Sequence, residues 1–278
     1  MPELPEVELV TKSLNKLVSG KKIAAAALLR ERLAPDSPPK QFARSLENAT
    51  INFVDRRGKH ILFDFDNGKT LIVHLRMSGR FLLLPIDREN PKFTHAVFYF
   101  ADESRLVFSD QRHFGFMRIV KTTELAETKE LKKLAPEPFS DEFSPKYFRD
   151  KLKTSSRSLK EFLLDQTKVC GLGNIYAAEA IFLARVNPQT PANQVSSVKA
   201  NRLHKFIREV LQESIKHGST LNVNPENIDG SYYGGGYENQ WRVYNRENQT
   251  CVNCGTKIKR LKQGGRSRYF CPHCQKVR

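Results

Sequence analysis

The first six residues, MPELPE, place a proline and two acids at the start of the chain. A small residue after Met1 favours removal of the initiator methionine, and Pro2 would then carry the amino terminus. An α-amino group has a reference pKa of about 8, so an appreciable fraction of this secondary amine would be unprotonated at neutral pH. Such an amine can attack an aldehyde-like carbon and form an iminium, while the neighbouring Glu3 moves protons. The alternative is that Pro2 merely starts a helix.

Four of the five cysteines form two Cys-x2-Cys pairs near the end of the chain. Sixteen residues separate Cys251 and Cys254 from Cys271 and Cys274, which is typical of a tetrahedral four-cysteine zinc site. Two structural disulfides are the alternative, and a reducing compartment disfavours them. Because four protein ligands leave no position for water, the spacing predicts one structural Zn²⁺ ion rather than a catalytic one.

The segment between the cysteine pairs predicts a basic two-stranded β-ribbon. Gly264-Gly265 allows a sharp turn at its tip, and a ribbon of this kind can enter a groove of DNA. We expect His273 to be exposed rather than a zinc ligand, and the remaining Cys170 to be buried or inert. Six basic residues surround the turn: Lys257, Lys259, Arg260, Lys262, Arg266 and Arg268.

The formal net charge of +16 indicates a polyanionic partner, for which nucleic acid is the usual candidate. Residues 242–278 carry +9 of this charge. A basic membrane-binding protein is the competing class, but the sequence has no amphipathic Lys/Arg helix and no lipidation signal. No apolar run approaches the 18 or so residues that span a bilayer, and the acidic N-terminus lacks the apolar core of a signal peptide. We therefore expect a cytoplasmic protein.

Three internal motifs have both a functional and an ordinary interpretation. The turn Gly171–Asn174 precedes a helix and could hold a phosphate, although glycine-rich turns before helices are common. Met77 and Phe114 lie beside arginines in loops, where they could wedge into a base stack or could belong to the core. Lys59 follows Arg56-Arg57-Gly58, a basic turn that could simply be solvated.

Hydrophobic periodicity predicts a first helix over residues 5–19, since apolar residues recur at helical spacing from Val7 to Leu17 and Gly20 can end it. A proline- and charge-rich linker is predicted at 132–146, and a long loop at 219–240. Helices are predicted at 158–165, 174–185 and 198–217. From Ile23 to about Val120 the pattern changes to strands, at 61–65, 70–75, 81–84, 96–100, 105–109 and 115–120.

Together these elements resemble the formamidopyrimidine-DNA glycosylases over the whole chain. The opening MPELPEVE is similar to that family's N-terminal signature, and Gly171-Leu172-Gly173-Asn174-Ile175-Tyr176 to its helix-two-turn-helix signature. The terminal ribbon, which ends in Cys271-Pro272-His273-Cys274-Gln275-Lys276, completes the resemblance. Three motifs in the expected order are far more specific than any one of them alone.

The resemblance implies an α+β multidomain fold. It consists of an N-terminal β-sandwich flanked by helices, a helical helix-two-turn-helix domain and a C-terminal four-cysteine zinc β-ribbon. The corresponding domain boundaries are 2–131, 132–240 and 241–278. The loop at 219–237 corresponds to the family's cap over the flipped base.

The resemblance also implies a bifunctional base-excision repair enzyme that acts as a monomer on damaged double-stranded DNA. It would remove oxidised purines such as 8-oxoguanine and formamidopyrimidines, and then cleave the strand by β,δ-elimination. Pro2 matches the family nucleophile, Glu3 the acid/base residue and Glu6 a buried carboxylate that aligns the N-terminus. Lys59 and Arg266 complete the implied catalytic set, near the phosphates of the lesion.

The implied DNA contacts come from both halves of the sequence. Met77, Arg112 and Phe114 match the side chains that fill the gap left by the flipped nucleotide, with Arg112 facing the orphaned base. Arg268 stands where the family pattern has a small hydroxyl residue, and we expect it to add a phosphate contact. The remaining predicted contacts are His74, Lys168, Asn174 and Tyr176.

Two rival functions compete with this one, and the second of them differs from it in class. An endonuclease VIII-like enzyme would share the fold and nucleophile but act on oxidised pyrimidines. Leu4 in the opening motif and the complete set of three gap-filling residues favour the purine enzyme. A non-catalytic zinc-ribbon DNA-binding protein would explain the charge and the cysteines, but it would have no use for a free secondary amine beside carboxylates.

Overall fold

The structure is a computed structural model that describes residues 1–220, 236–263 and 265–276. The chain forms two compact units. The first comprises residues 1–132 together with Gly218, Ser219 and Thr220, and the second comprises residues 133–217 and the chain from Gly236 onward. Most of the predicted capping loop at 219–237 lies outside the described residues. In the described part of the chain, no helix is both long and apolar enough to cross a membrane.

The first unit is a β-sandwich with helices. Its two antiparallel four-stranded sheets have the orders β1-β6-β7-β5 and β2-β3-β4-β8, and apolar residues of both sheets and of the helices form one core cluster. The strands are β1 (Ile23–Leu28), β2 (Ile51–Arg57), β3 (His60–Phe65), β4 (Lys69–His74), β5 (Gly79–Pro85), β6 (Thr94–Phe100), β7 (Ser104–Asp110) and β8 (Phe116–Lys121). The helices are α1 (Leu4–Val18) and α2 (Pro39–Leu46), with 3₁₀ turns at Glu31–Leu33 and Thr122–Glu127.

Helix α1 forms where the periodicity predicts it. Val7, Val10 and Leu14 are fully buried in the core of the sandwich unit, and Gly20 turns the chain with a φ of +80°. All six predicted strands are present. The prediction of strands throughout 23–120 is wrong at α2, where two prolines start a helix that buries Phe42 and Leu46 one turn apart.

The second unit is helical and ends in a zinc ribbon. Its helices are α3 (Pro145–Lys153), α4 (Leu159–Leu164), α5 (Asn174–Leu183) and α6 (Ser197–Lys216), with 3₁₀ turns at Ala192–Gln194 and Gly236–Gln240. The ribbon strands are β9 (Lys259–Gln263) and β10 (Arg266–Phe270), which pair antiparallel. Helix α3, whose N-cap Ser144 accepts a hydrogen bond from the Tyr147 amide at 3.1 Å, was absent from the predicted elements.

Candidate active site and nucleic-acid interface

The N-terminal residues are held at the start of α1 by the Glu6 carboxylate. The Glu3 amide donates to Glu6 Oε2 at 2.8 Å, which is half of a capping box. Glu6 Oε1 accepts the Thr220 hydroxyl at 2.8 Å and lies 3.3 Å from the Thr220 amide nitrogen. Pro2, Glu3 and Glu6 are all buried. The three predicted N-terminal site residues therefore lie together, in a backbone geometry that Glu6 fixes.

The β2–β3 turn approaches the same helix. Arg56 Nε donates to Glu8 Oε2 at 2.7 Å, and this ion pair ties the end of β2 to α1. Lys59 follows in the turn and is 6% exposed, so it is not the solvated surface lysine of the ordinary interpretation.

His74 ends β4 opposite His60 of β3, and the two rings meet edge to face with centroids 4.8 Å apart. His74 Nδ1 accepts the Arg76 amide at 2.9 Å, so the proton of the neutral ring is on Nε2. Burial lowers the pKa of His74 to about 2 and that of His60 to about 4, with nearby cations adding to the effect. His74 is therefore a neutral hydrogen-bond donor near pH 7.

Phe114 is 55% exposed, which excludes the core interpretation for this residue, and Met77 is half-buried. The two residues belong to loops that meet on the Asp110 carboxylate. Asp110 accepts hydrogen bonds from the Ser78 hydroxyl, the Gly115 amide at 2.6 Å and the Arg112 amide at 3.1 Å. Burial opposes ionisation of Asp110, but these donors outweigh it and hold the pKa of the carboxyl below its ordinary value.

Two glycines allow these loops to approach the sandwich closely. A Cβ atom on Gly79 would lie 2.5 Å from the Leu75 carbonyl oxygen, and one on Gly115 would lie 2.8 Å from the Phe108 ring. Sequence reasoning missed Asp110 and both glycines. The sequence pattern that could have identified them is Asp110-x4-Gly115, in which an acid and a glycine lie on either side of an exposed loop.

The loop 111–114 also has a second tether. His113 Nδ1 lies 2.9 Å from Nε2 of the buried His95, at hydrogen-bonding distance, and the two rings are nearly parallel. His113 adopts a φ of +60°, while its neighbours Arg112 and Phe114 are exposed. The gap-filling candidates Arg112 and Phe114 thus project from a loop that is anchored at Asp110 and at His95.

In the second unit, the turn before α5 is built around glutamine and lysine side chains. Gln166 accepts the Gly171 amide at 3.0 Å and donates to the Leu172 carbonyl at 2.9 Å. Lys160 Nζ donates to the Asn174 carbonyl at 2.6 Å. Asn174 Oδ1 is buried and lacks a hydrogen-bond partner in the described structure, so this side chain retains an acceptor.

Two of the predicted DNA contacts in this unit are buried. Tyr176 is 0% exposed and its hydroxyl bonds Ser214 at 2.6 Å. Arg268 is 2% exposed, with Nη2 lying 3.1 Å from Glu161 Oε1. The expectation that Arg268 adds a phosphate contact stays a prediction, and the burial of its guanidinium beside Glu161 does not favour it. Arg266 is exposed and Lys168 is half-exposed.

The four cysteines converge at the base of the ribbon, and their Sγ atoms all lie within 4.8 Å of one another. In each knuckle an amide donates to the first thiol, from Asn253 to Cys251 and from Cys274 to Cys271, both at 3.4 Å. Four thiols at this separation fit one tetrahedral zinc ion. His273 is exposed and Cys170 is fully buried, both as expected. Cys251 and Cys271 are buried, Cys274 is half-buried and Cys254 is exposed.

Comparison with known proteins assigns three segments of the chain to known domain families. Residues 1–117 match the formamidopyrimidine-DNA glycosylase N-terminal domain, residues 134–224 match the helix-two-turn-helix domain of that glycosylase, and residues 248–277 match a zinc finger shared with isoleucyl-tRNA synthetases. These matches define a zinc-finger DNA glycosylase of the helix-two-turn-helix class.

The full-length relatives are more specific. Formamidopyrimidine-DNA glycosylases of Listeria innocua and Bacillus subtilis are each 40% identical over 99% of this chain, covering 100% and 99% of their own lengths. The Lactococcus lactis enzyme in complex with abasic-site DNA superposes with a TM-score of 0.92 at 35% identity, over 99% of this chain and 100% of that one. The chain belongs to the formamidopyrimidine-DNA glycosylase family.

The family resemblance, the α+β fold class and the structural zinc ion predicted from the sequence are thereby confirmed. Cys251, Cys254, Cys271 and Cys274 fit that ion, which would join the two cysteine pairs at the base of the ribbon.

Proposed function

We propose that this protein is a bifunctional DNA glycosylase and abasic-site lyase of base excision repair. Its substrates are oxidised purines, 8-oxoguanine and formamidopyrimidines, in duplex DNA. The observation that carries the proposal is the buried N-terminus, where Glu6 accepts the Glu3 amide at 2.8 Å and so sets the direction of the first residues. With Met1 removed, the secondary amine of Pro2 would lie immediately before this cap.

The chemistry begins with attack of the Pro2 nitrogen on C1′ of the damaged nucleotide. The bond from C1′ to the base breaks, Glu3 assists proton transfer and opening of the sugar ring, and a ring-opened iminium results. The iminium acidifies the C2′ protons, so loss of one of them expels the 3′ phosphate, and a second elimination expels the 5′ phosphate. Glu6 keeps the N-terminal backbone in place, while the zinc ion takes no part in the bond changes.

The proposed DNA contacts follow from the family resemblance. In the first unit, Lys59 and His74 contact phosphates, and Met77, Arg112 and Phe114 fill the gap left by the flipped nucleotide. In the second unit, Lys168, Asn174 and Arg266 contact phosphates, while the buried Tyr176 shapes the turn that precedes α5. The L. lactis relatives crystallised with abasic-site DNA and with formamidopyrimidine-containing DNA support this assignment.

The domain boundaries 2–131, 132–240 and 241–278 and a monomeric state belong to the same proposal. The site of action would be the cytoplasm, at the nucleoid if the source is bacterial.

For about six phosphate contacts, the logarithm of the DNA affinity should fall with the logarithm of the salt concentration, with a slope of about −5. A flat dependence would remove the polyanion argument.

The test is borohydride trapping on a duplex with one 8-oxoguanine opposite cytosine, after mass spectrometry has shown that Met1 is absent. A covalent adduct that disappears in Pro2→Gln would support the iminium route and the purine substrate. Dihydrothymine-containing and undamaged duplexes serve as controls. An adduct with dihydrothymine alone would favour the endonuclease VIII-like alternative, and no adduct on any duplex would favour a non-catalytic DNA-binding protein.

A further inference from the structure

Arg268 and Glu161 form an ion pair between the zinc ribbon and helix α4. Arg268 Nη2 lies 3.1 Å from Glu161 Oε1, and Nη1 lies 3.5 Å from the Pro188 carbonyl oxygen. The arginine side chain is 2% exposed, and the glutamate, at 38%, reaches it from the surface. In the described part of the chain, Glu161 is the one acid within ion-pair distance of this guanidinium.

The same carboxylate is fixed from its other side. Glu161 Oε2 accepts the hydroxyl of Ser158, the N-cap residue of α4, at 2.7 Å. The hydrogen bond from Ser158 therefore holds the Glu161 carboxylate in position to pair with Arg268. Burial lowers the pKa of Arg268, and the attraction of Glu161 opposes this shift.

Arg266 is two residues before Arg268 in β10. Alternate residues of a strand project to the same face, and two residues span about 7 Å. Along β10 the exposure falls from Arg266, which is exposed, to Arg268, which is the first buried residue after the tip of the ribbon. Arg266 and Glu161 also line one open cleft of about 530 Å³, together with Arg157, Leu164 and Asp165.

We propose that Arg268 is a positioning residue for Arg266: its ion pair with Glu161 fixes the outer half of β10 against α4 and thereby sets where Arg266 meets DNA phosphate. An isolated two-stranded hairpin is only marginally stable in water, so its tip needs such an anchor. The inference rests on the proposed function, in which Arg266 is a phosphate contact.

The test compares two substitutions that change the net charge equally. Glu161→Gln removes the partner of Arg268. Asp165→Asn removes an acid from the same cleft, where Asp165 faces the exposed Arg157 at 3.7 Å and not Arg268. If only net charge matters, both variants bind DNA slightly more tightly than the unaltered protein. If Arg268 positions Arg266, Glu161→Gln lowers the affinity for lesion-containing duplex by about tenfold and makes the salt slope shallower by about 1, whereas Asp165→Asn does neither.

Coupling to Arg266 supplies the second readout. In an Arg266→Ala background, Glu161→Gln should change the affinity by less than about twofold, because the positioned group is already absent. The proposal would be overturned if the affinity losses of Glu161→Gln and Arg266→Ala multiply in the double variant. It would also be overturned if Glu161→Gln has the same affinity and salt slope as Asp165→Asn.

Zinc content distinguishes positioning from unfolding of the ribbon. Should Glu161→Gln lose its metal, Arg268→Met replaces the buried charge by an apolar side chain of similar length. This variant is expected to retain zinc and yet show the same shallower salt slope. A slope equal to that of the unaltered protein, with zinc retained, contradicts the positioning role. Failure of the unaltered protein to bind or trap lesion DNA would instead remove the proposed function itself.

Discussion

The β-sandwich and the zinc ribbon are stabilised by different forces. Two four-stranded sheets and the helices of the first unit enclose one continuous apolar cluster, so that unit needs no staple. The ribbon has two five-residue strands, and a smaller apolar cluster that includes Phe182, Ile258 and Tyr269 packs it on α5. The region that carries the proposed chemistry is thus held mainly by burial of apolar surface. The region with the densest positive charge combines a small apolar cluster with polar contacts and the four-cysteine site.

Glu179 shows how polar contacts supplement the small core of the ribbon. It is fully buried on α5 and accepts the backbone amides of Arg242, Val243 and Tyr244 at 2.8 to 3.0 Å. Burial raises the pKa of this carboxyl although the three amides oppose the shift. One carboxylate thereby fixes the chain where it enters the ribbon. The difference between the regions implies that single polar substitutions should damage the ribbon far more than the sandwich.

Removal of zinc should have the largest effect. We expect Cys254→Ser, or chelation of the unaltered protein, to unfold the ribbon and to weaken DNA binding by roughly 100-fold, because metal binding supplies the folding free energy of such sites. The single tryptophan, Trp241, belongs to the second unit and reports this change by fluorescence. The β-sheet signal in far-ultraviolet circular dichroism should persist. If the Trp241 fluorescence and the β-sheet circular dichroism change together, the two regions do not differ in what stabilises them.

Lowering the pH, unlike removing zinc, should destabilise the sandwich before the ribbon. His60 and His74 titrate near pH 6.5 when unfolded, but their pKa values are about 4 and about 2 when folded. The unfolded chain therefore takes up protons first, and stability is lost as the pH falls below about 6.5. At pH 5 the free energy of unfolding should be lower by up to about 2 kcal/mol per histidine.

Urea unfolding at pH 7 and pH 5, followed by circular dichroism, measures this loss. His60→Phe keeps an aromatic ring beside His74 and should reduce the pH dependence. An unchanged dependence in that variant would show that other groups cause the acid sensitivity.

The smallest of the three effects concerns Glu179. Glu179→Gln should lower the free energy of unfolding reported by Trp241 by about 1 to 3 kcal/mol, since an amide oxygen replaces a carboxylate that serves three donors. Glu213→Gln is the matched control. It removes the other acid that contacts Arg242, at 2.9 Å, but Glu213 is 29% exposed. Its effect should stay below about 1 kcal/mol. Equal losses in the two variants would show that burial of Glu179 is not the cause.

Local patterns in the sequence predict much of this molecule. Helix α1 follows from its apolar spacing, the strands follow from their β-branched and aromatic runs, and the paired cysteines predict the metal. Each of these signals lies within a short stretch of chain, where side-chain type and spacing determine the outcome.

The missing parts depend on contacts between distant residues. Arg268 reads as a surface cation because its partner Glu161 is more than one hundred positions away. Asp110 ends β7, yet its carboxylate organises the loops 75–78 and 111–114 by accepting hydrogen bonds from Ser78 and Arg112. Helix α2 is missed because the sequence on both sides of it has a strand pattern. Only the two prolines that precede Phe42 indicate a helix start. No periodicity encodes such pairings.

The bond between Glu6 and Thr220 has a consequence for synthesis of the protein on the ribosome. Residues 1–132 can emerge and pack, but Glu6 lacks one of its partners until Thr220 has also left the exit tunnel. The extreme N-terminus is therefore completed late, although it is made first. Removal of Met1, which the proposed function requires, would have that interval in which to occur, before Pro2 is buried in the finished unit.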